Sequence, residues 1–218
     1  IPVSIAMPRK LRDSSMAKIL SDLTSTIIAG LVLAVVLIVI MMLWHGTGLD
    51  LDRNWWAFLF RWMHVVSGVM WIGILWYFNF VQIPNMGNIP DEQKPAITGV
   101  IAPAALFWFR WGAMATIITG LILAWLNGYI FQAISLGTME NSSSFHTAIG
   151  IGMWLGTIMW FNVWFIIWPN QKKALGIVEV EADEKAKAGR TAMLFSRTNT
   201  MLSIPMLYAM VAAQNGVF

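Results

Sequence analysis

Apolar residues run along this chain in long unbroken stretches separated by short polar ones. A helix needs about 20 apolar residues to cross the hydrocarbon core of a bilayer. Five segments reach that length, at about 23–44, 55–81, 102–126, 146–168 and 194–213. The first, from Leu23 to Trp44, is mostly Val, Ile, Leu and Met. The last contains Arg197, Asn199 and Pro205, and a proline is tolerated where neighbouring helices satisfy the carbonyl it frees. The pattern predicts an all-α fold, an integral membrane bundle of five transmembrane helices. Residues 1–22 form a basic N-terminal segment and 23–218 a single transmembrane domain without internal repeats. The stretch from Gly176 to Arg190, charged and of high helix propensity, predicts a short cytoplasmic helix.

Charge sets the orientation. Arg9, Lys10, Arg12 and Lys18 precede the first span, and Lys172, Lys173, Lys185, Lys187 and Arg190 fill the connection between the fourth and fifth. With five spans both basic segments fall on one side, and the positive-inside rule makes that side cytoplasmic. The N-terminus is then inside and the C-terminus outside. The opposite connections carry Arg53 as their cation, beside Asp50, Asp52 and Glu140.

Composition agrees. Hydrophobic residues make up 58% of the 218 and charged residues 11%, against about 25% charged in a soluble domain. Lipid is therefore the expected partner. A net charge of +3 with no basic cluster beyond the flanking segments gives no reason to expect nucleic acid. The absence of cysteine excludes disulfides, cysteine-ligated iron–sulfur clusters and covalently attached haem c.

Ionisable residues inside spans are costly, and each invites a search for its partner. His64 lies about nine residues below the outer end of the second span, His146 begins the fourth, and His45 closes the first. His64 and His146 are each followed four residues later by glycine, Gly68 and Gly150, on the same helical face. A missing side chain beside an imidazole leaves room for a flat macrocycle, and imidazole is a common axial ligand of haem iron. These residues are candidates to hold haem b, with His64 as one ligand, His146 the first choice for the second, and His45 the alternative. Glycines on membrane helices equally serve close helix packing. A second polar layer lies towards the inner side. Arg110 sits among aromatics in Phe107-Trp108-Phe109-Arg110-Trp111, with Asn79, Asn162, Arg197 and Asn199 at comparable depth. Arg110 could bind an anionic ligand, a haem propionate or a quinone carbonyl, or could snorkel to the inner headgroups.

Several ordered blocks carry a resemblance. Arg61-Trp62-Met63-His64-Val65-Val66, then Trp71-Ile72-Gly73 and Trp76-Tyr77-Phe78, resemble a helix in the membrane domain of PuuD-type urate hydroxylases. Phe107 to Gly120 resembles their next helix. Phe161-Asn162-Val163, Ile167 to Lys173, and Arg197 to Pro205 resemble the end of that domain. Gly112 and Thr198 depart from the pattern, which has an acidic residue and a histidine at those places. The resemblance implies an oxidase of the bacterial inner membrane that passes electrons to a cytochrome c. This sequence has no Cys-x-x-Cys-His, so the cytochrome is expected to be a separate protein. The Trp-Met-His and Trp-x-Gly pattern is also similar to HemJ- and CopD-type membrane proteins, in which the histidine is linked to haem.

Two functional readings follow. One is a haem-binding, urate-hydroxylase-like oxidoreductase module that donates electrons to a separate cytochrome or a quinone. The other is a non-catalytic accessory subunit of a larger respiratory or photosynthetic complex, associated with other membrane subunits. In that case the histidines ligate the magnesium of a chlorophyll-type pigment, or nothing.

Overall fold

A computed structural model describes residues 15–217 of the chain. Arg9, Lys10 and Arg12, part of the charge argument for orientation, lie outside the described residues. Helices joined by short turns make up the described chain, with no strand among the described residues. It divides into two units, the first ending at Leu51 and the second beginning at Asp52.

The first unit holds α1 (Ser15–Ser21) and α2 (Leu23–His45). Asp22 between them is extended, and its carboxylate accepts from the Ser25 amide at 2.7 Å, which caps α2. The cap and its amide hold that carboxyl below the usual carboxylate range. Gly46 ends α2 in the left-handed region at φ 62°, as a C-terminal glycine commonly does. No residue of α2 is buried, and a helix apolar on every side needs lipid or another helix around it.

The second unit contains α3 (Arg53–Asn88), α4 (Lys94–Leu126), α5 (Ile130–Ile134), α6 (Ser144–Ala174) and α7 (Ala182–Asn215). With α2, the helices α3, α4 and α6 are long and apolar enough to cross a membrane, four in all among the described residues. α7 has 34 residues, about 50 Å at 1.5 Å per residue, yet its charged first half and its row of Ser, Thr and Asn set it apart from those four. The expected short helix before Arg190 is instead the first part of α7, because no proline interrupts the chain between Ala182 and Leu194 and the helix runs on through Gly189. Pro205 sits inside the helix without ending it.

In the second unit α3 packs along α4, and α6 along α7. The first seam is close because Gly112 lets α4 approach the α3 backbone. A Cβ there would lie 3.3 Å from the Trp71 nitrogen. The second is polar: the Asn162 amide donates to Asn199 Oδ1 at 2.8 Å, and Asn199 Nδ2 donates to the Met159 carbonyl at 2.9 Å. α7 also reaches α3, where Asn79 donates to Ser196 at 2.8 Å and Trp76 to Ser203 at 3.0 Å. Trp71, Leu75, Phe109, Met159, Val163 and Ile167 fill the centre.

Three helices loosen into π turns, at Tyr77–Gln82, Ile97–Ile101 and Asn162–Ile167. All three lie towards the end of the unit that carries Lys94, Lys172 and Lys173, called here the basic end. At the opposite end Arg53 donates to the Leu126 and Trp125 carbonyls, at 2.5 and 3.3 Å, and so caps α4. A cation there complements the negative end of the α4 dipole. Arg53, a cation that runs against the charge asymmetry, thus has a local structural partner.

Asn199 is fully buried and holds two α6 groups at once. Asn199→Ala takes the acceptor from the Asn162 side-chain amide and one of two donors from the Met159 carbonyl, and is expected to destabilise the unit by about 1–2 kcal/mol. Thr198→Ala, which removes a hydroxyl bonded only to its own helix, is expected to be near neutral. Thermal unfolding in mild detergent measures the difference.

Candidate functional site

His64 stands three turns into α3, half-buried, with its ring against α4. Nδ1 lies 2.9 Å from the Thr116 carbonyl oxygen. A carbonyl can only accept, so Nδ1 carries the proton and Nε2 the lone pair. Nε2 has no hydrogen-bond partner among the described residues. The Thr119 hydroxyl lies 3.4 Å from Nδ1 and donates to the Ala115 carbonyl at 2.6 Å. Nδ1 fixed by a backbone carbonyl with Nε2 left open is the arrangement by which proteins orient a metal-binding histidine.

The residue that permits this approach is Gly120. A Cβ at that position would fall 2.9 Å from His64 Cε1 and 3.1 Å from Nδ1, closer than a packed side chain tolerates. Gly120 lies on another helix, 56 positions from His64, and no local pattern in the sequence marks it.

The other predicted residues fall elsewhere. Gly68 faces α4, where its Cβ would meet Thr116 Cγ2 at 4.0 Å, an ordinary contact with space for a methyl. Gly150 gives no room for a macrocycle. A Cβ there would strike the Ala133 carbonyl oxygen at 2.2 Å, because α5 lies directly against α6 at this point. Its glycine serves helix packing. The seam is held further by Trp154 Nε1 donating to the Ile134 carbonyl at 2.9 Å and by the Thr147 hydroxyl donating to Leu136 at 3.1 Å. Tyr129 packs edge-on to Phe145 at the mouth of this seam, and burial pushes its phenol above the usual tyrosine range.

His146 sits in the first turn of α6 and completes a capping box with Ser143. The Ser143 amide donates to its Nδ1 at 2.9 Å. Nδ1 is therefore the acceptor, and in the neutral ring Nε2 holds the proton. That tautomer is the reverse of the one at His64, and it does not ligate through Nε2 while the cap stands. His45 is exposed at the end of α2, in the first unit, and makes no bond with any described side chain. Within the second unit His64 and His146 share no hydrogen-bond partner. Among the described residues no three His, Asp or Glu side chains form a group able to hold a metal ion alone.

A second concentration of chemistry lies near the basic end. The Arg110 guanidinium stacks on Trp168, 3.3 Å from the ring centroid, and its Nη1 is sealed from solvent without a hydrogen-bond partner. Trp164 Nε1, four residues before Trp168, and Gln171 Oε1, three residues after it, are sealed and unpartnered as well. Trp111 meets Trp164 edge-on at 5.5 Å. The π turn at Asn162–Ile167 re-aims α6 just where these side chains emerge, and such turns recur at functional sites. Asn79 Oδ1 and Gln82 Oε1, on the α3 π turn, are also buried without partners. Among the described residues Arg110 has no ion-pair partner.

This is the architecture of a helical membrane bundle, with a ring-fixed histidine near one end and a layer of unsatisfied polar groups near the other. A family model described as urate oxidase N-terminal matches residues 130–217, which cover α5, α6 and α7, about two-fifths of the chain. The match fits a urate-oxidase-related membrane family. It includes His146, Trp164, Trp168 and Gln171 but neither His64 nor Arg110. No curated protein and no solved structure matches the chain.

Gly120→Ala is expected to turn the His64 ring off Thr116. In protein labelled with ¹⁵N-histidine, the Nδ1-protonated tautomer should give way to a mixture, while Gly68→Ala leaves it in place. An unchanged spectrum in Gly120→Ala would show that the ring does not depend on this contact.

Proposed function

We propose that this chain is a membrane-embedded, urate-hydroxylase-like redox protein that binds a b-type haem through His64. Five helices cross the bacterial inner membrane, with the N-terminus inside and the C-terminus outside. The observation that carries the reading is the contact of His64 Nδ1 with the Thr116 carbonyl, from which the tautomer follows. Its Nδ1 proton is committed to Thr116, and the Nε2 lone pair is left for iron. A porphyrin brings four nitrogen ligands of its own and needs one imidazole from the protein, not a cluster. When bound, haem would supply one-electron chemistry, with a separate cytochrome or a quinone as the next carrier. The hydrogen bond from Nδ1 to the carbonyl would hold the ring at a fixed angle and raise the basicity of Nε2. Arg110 Nη1 and Trp164 Nε1 would donate to the oxygen of an anionic or carbonyl-bearing ligand near the basic end, and Gln171 Oε1 would accept from a donor on it. The family match over residues 130–217 supports the urate-oxidase-related part of this reading.

α2 supports a second reading, that of an accessory subunit in a larger membrane complex. It is apolar on all sides and buries no residue, so it would be available to a neighbouring subunit. Pigment binding at His64 through chlorin magnesium belongs to this alternative.

Absorbance of the purified protein tests both. Haem gives a Soret band that shifts on reduction with dithionite, and His64→Ala is expected to abolish it while His146→Ala leaves it. A colourless preparation, or a chlorin band at long wavelength, overturns the haem reading. The chain has no cysteine, so single substitutions report sidedness. With an impermeant maleimide, Asn215→Cys is expected to react from the outside and Glu179→Cys only from the inside. Reaction of both from one side removes α7 from the spans.

A further inference from the structure

The two sides of α7 differ sharply. One face buries Ala188, Ala192, Ser196, Asn199, Ser203 and Met206. The other, at steps of three or four residues, presents Arg190, Leu194, Arg197, Met201, Ile204 and Tyr208. Leu194 is 49% exposed, Met201 64%, Ile204 63% and Tyr208 61%. Arg190 and Arg197 are exposed too, and neither has an ion-pair or hydrogen-bond partner among the described residues. The stripe is therefore divided along its length, with guanidinium groups towards the basic end and apolar side chains beyond them.

Depth gives the division its meaning. Gly189 packs beside Ala174 at the end of α6, its Cβ position 3.7 Å from the alanine methyl. Arg190 is thus at the rim of the bundle. Arg197 is two turns further in, about 10 Å, beside Ser196, which bonds Asn79. An arginine at that depth, facing outwards, extends its aliphatic stem towards the headgroups. Both guanidinium groups can then reach one level. From Arg197 to Tyr208 is eleven residues, about 16 Å, close to half of a hydrocarbon core of about 30 Å. The apolar part of the stripe is as long as one leaflet's acyl chain.

We propose that this face of α7 binds an anionic phospholipid of the leaflet at the basic end, with its phosphate between Arg190 and Arg197 and an acyl chain along Met201, Ile204 and Tyr208. Planar guanidinium groups match phosphate oxygens in bidentate fashion. Lys172 and Lys187 at the same end add attraction for anionic headgroups, while Lys173 is paired with Glu184. The inference rests on the reading that α7 crosses the membrane, and it is independent of haem.

The full chain is reconstituted in nanodiscs of dioleoylphosphatidylcholine containing a minority of dioleoylphosphatidylglycerol, and native mass spectrometry counts the lipids retained. Phosphatidylglycerol is expected to be enriched over phosphatidylcholine. The enrichment should fall about fivefold for each of Arg190→Gln and Arg197→Gln. Arg197→Lys, which keeps the charge but loses the bidentate fork, should fall between. Equal retention of both lipids by the unaltered chain overturns the proposal, as would occur if this face received an acidic helix of another subunit. So does enrichment that survives the double substitution. Maleimide labelling of Asn215→Cys separates the two possible failures. Outside labelling with no lipid preference sinks the lipid site alone, and inside labelling sinks the spanning reading on which it rests.

Discussion

A hydrogen-bonding group inside an apolar bundle has only the protein to turn to, and this constraint organises the second unit. Asn199 is the clearest instance. Wholly buried, it satisfies an amide and a carbonyl of α6 with one side chain. Asn79 with Ser196 and Trp76 with Ser203 repeat the device between α7 and α3. Lipid tails are as apolar as leucine, so hydrophobic burial alone does little to choose which helix meets which. Polar bonds of this kind fix α7 against its two neighbours in one register. The residues that lower α7's apolar character are thus the ones that dock it.

The same constraint gives weight to the groups left unpaired. Arg110 Nη1, Trp164 Nε1 and Gln171 Oε1 are sealed near one another along the seam of α4 and α6. In a native structure such groups call for an explanation, and an unseen ligand or water is among the usual ones. His64 presents the complementary case. Its Nδ1 is satisfied by a backbone carbonyl, and one nitrogen is left with a directed lone pair. The bundle thus keeps two kinds of reserve, a layer of unpaired donors and acceptors near the basic end and a ligating nitrogen towards the other.

His146 and Gly150 show how residue type misleads when partners are unknown. In sequence, each histidine with a glycine four residues on reads as the same motif. In the fold one ring donates from Nδ1 and the other accepts at it, because the first meets a carbonyl and the second an amide. The glycine read as a gap beside His146 is instead filled by the backbone of α5. A short helix such as α5, five residues long, has too little periodicity to announce itself.

The sequence by itself determined the long apolar helices, the basic end, and the presence of histidine and arginine within apolar surroundings. These are local properties, set by the length of an apolar run and the charge at its flanks. Which way the His64 ring turns, which tautomer it holds, and that Gly120 makes room for it were decided only when α3 met α4. The stacking of Arg110 on Trp168 likewise needed two helices to pack, and so did the continuation of α7 as one rod with a docked face and a free one. A hydrogen bond or a close contact depends on atoms distant in the chain, and run length and spacing cannot express that geometry.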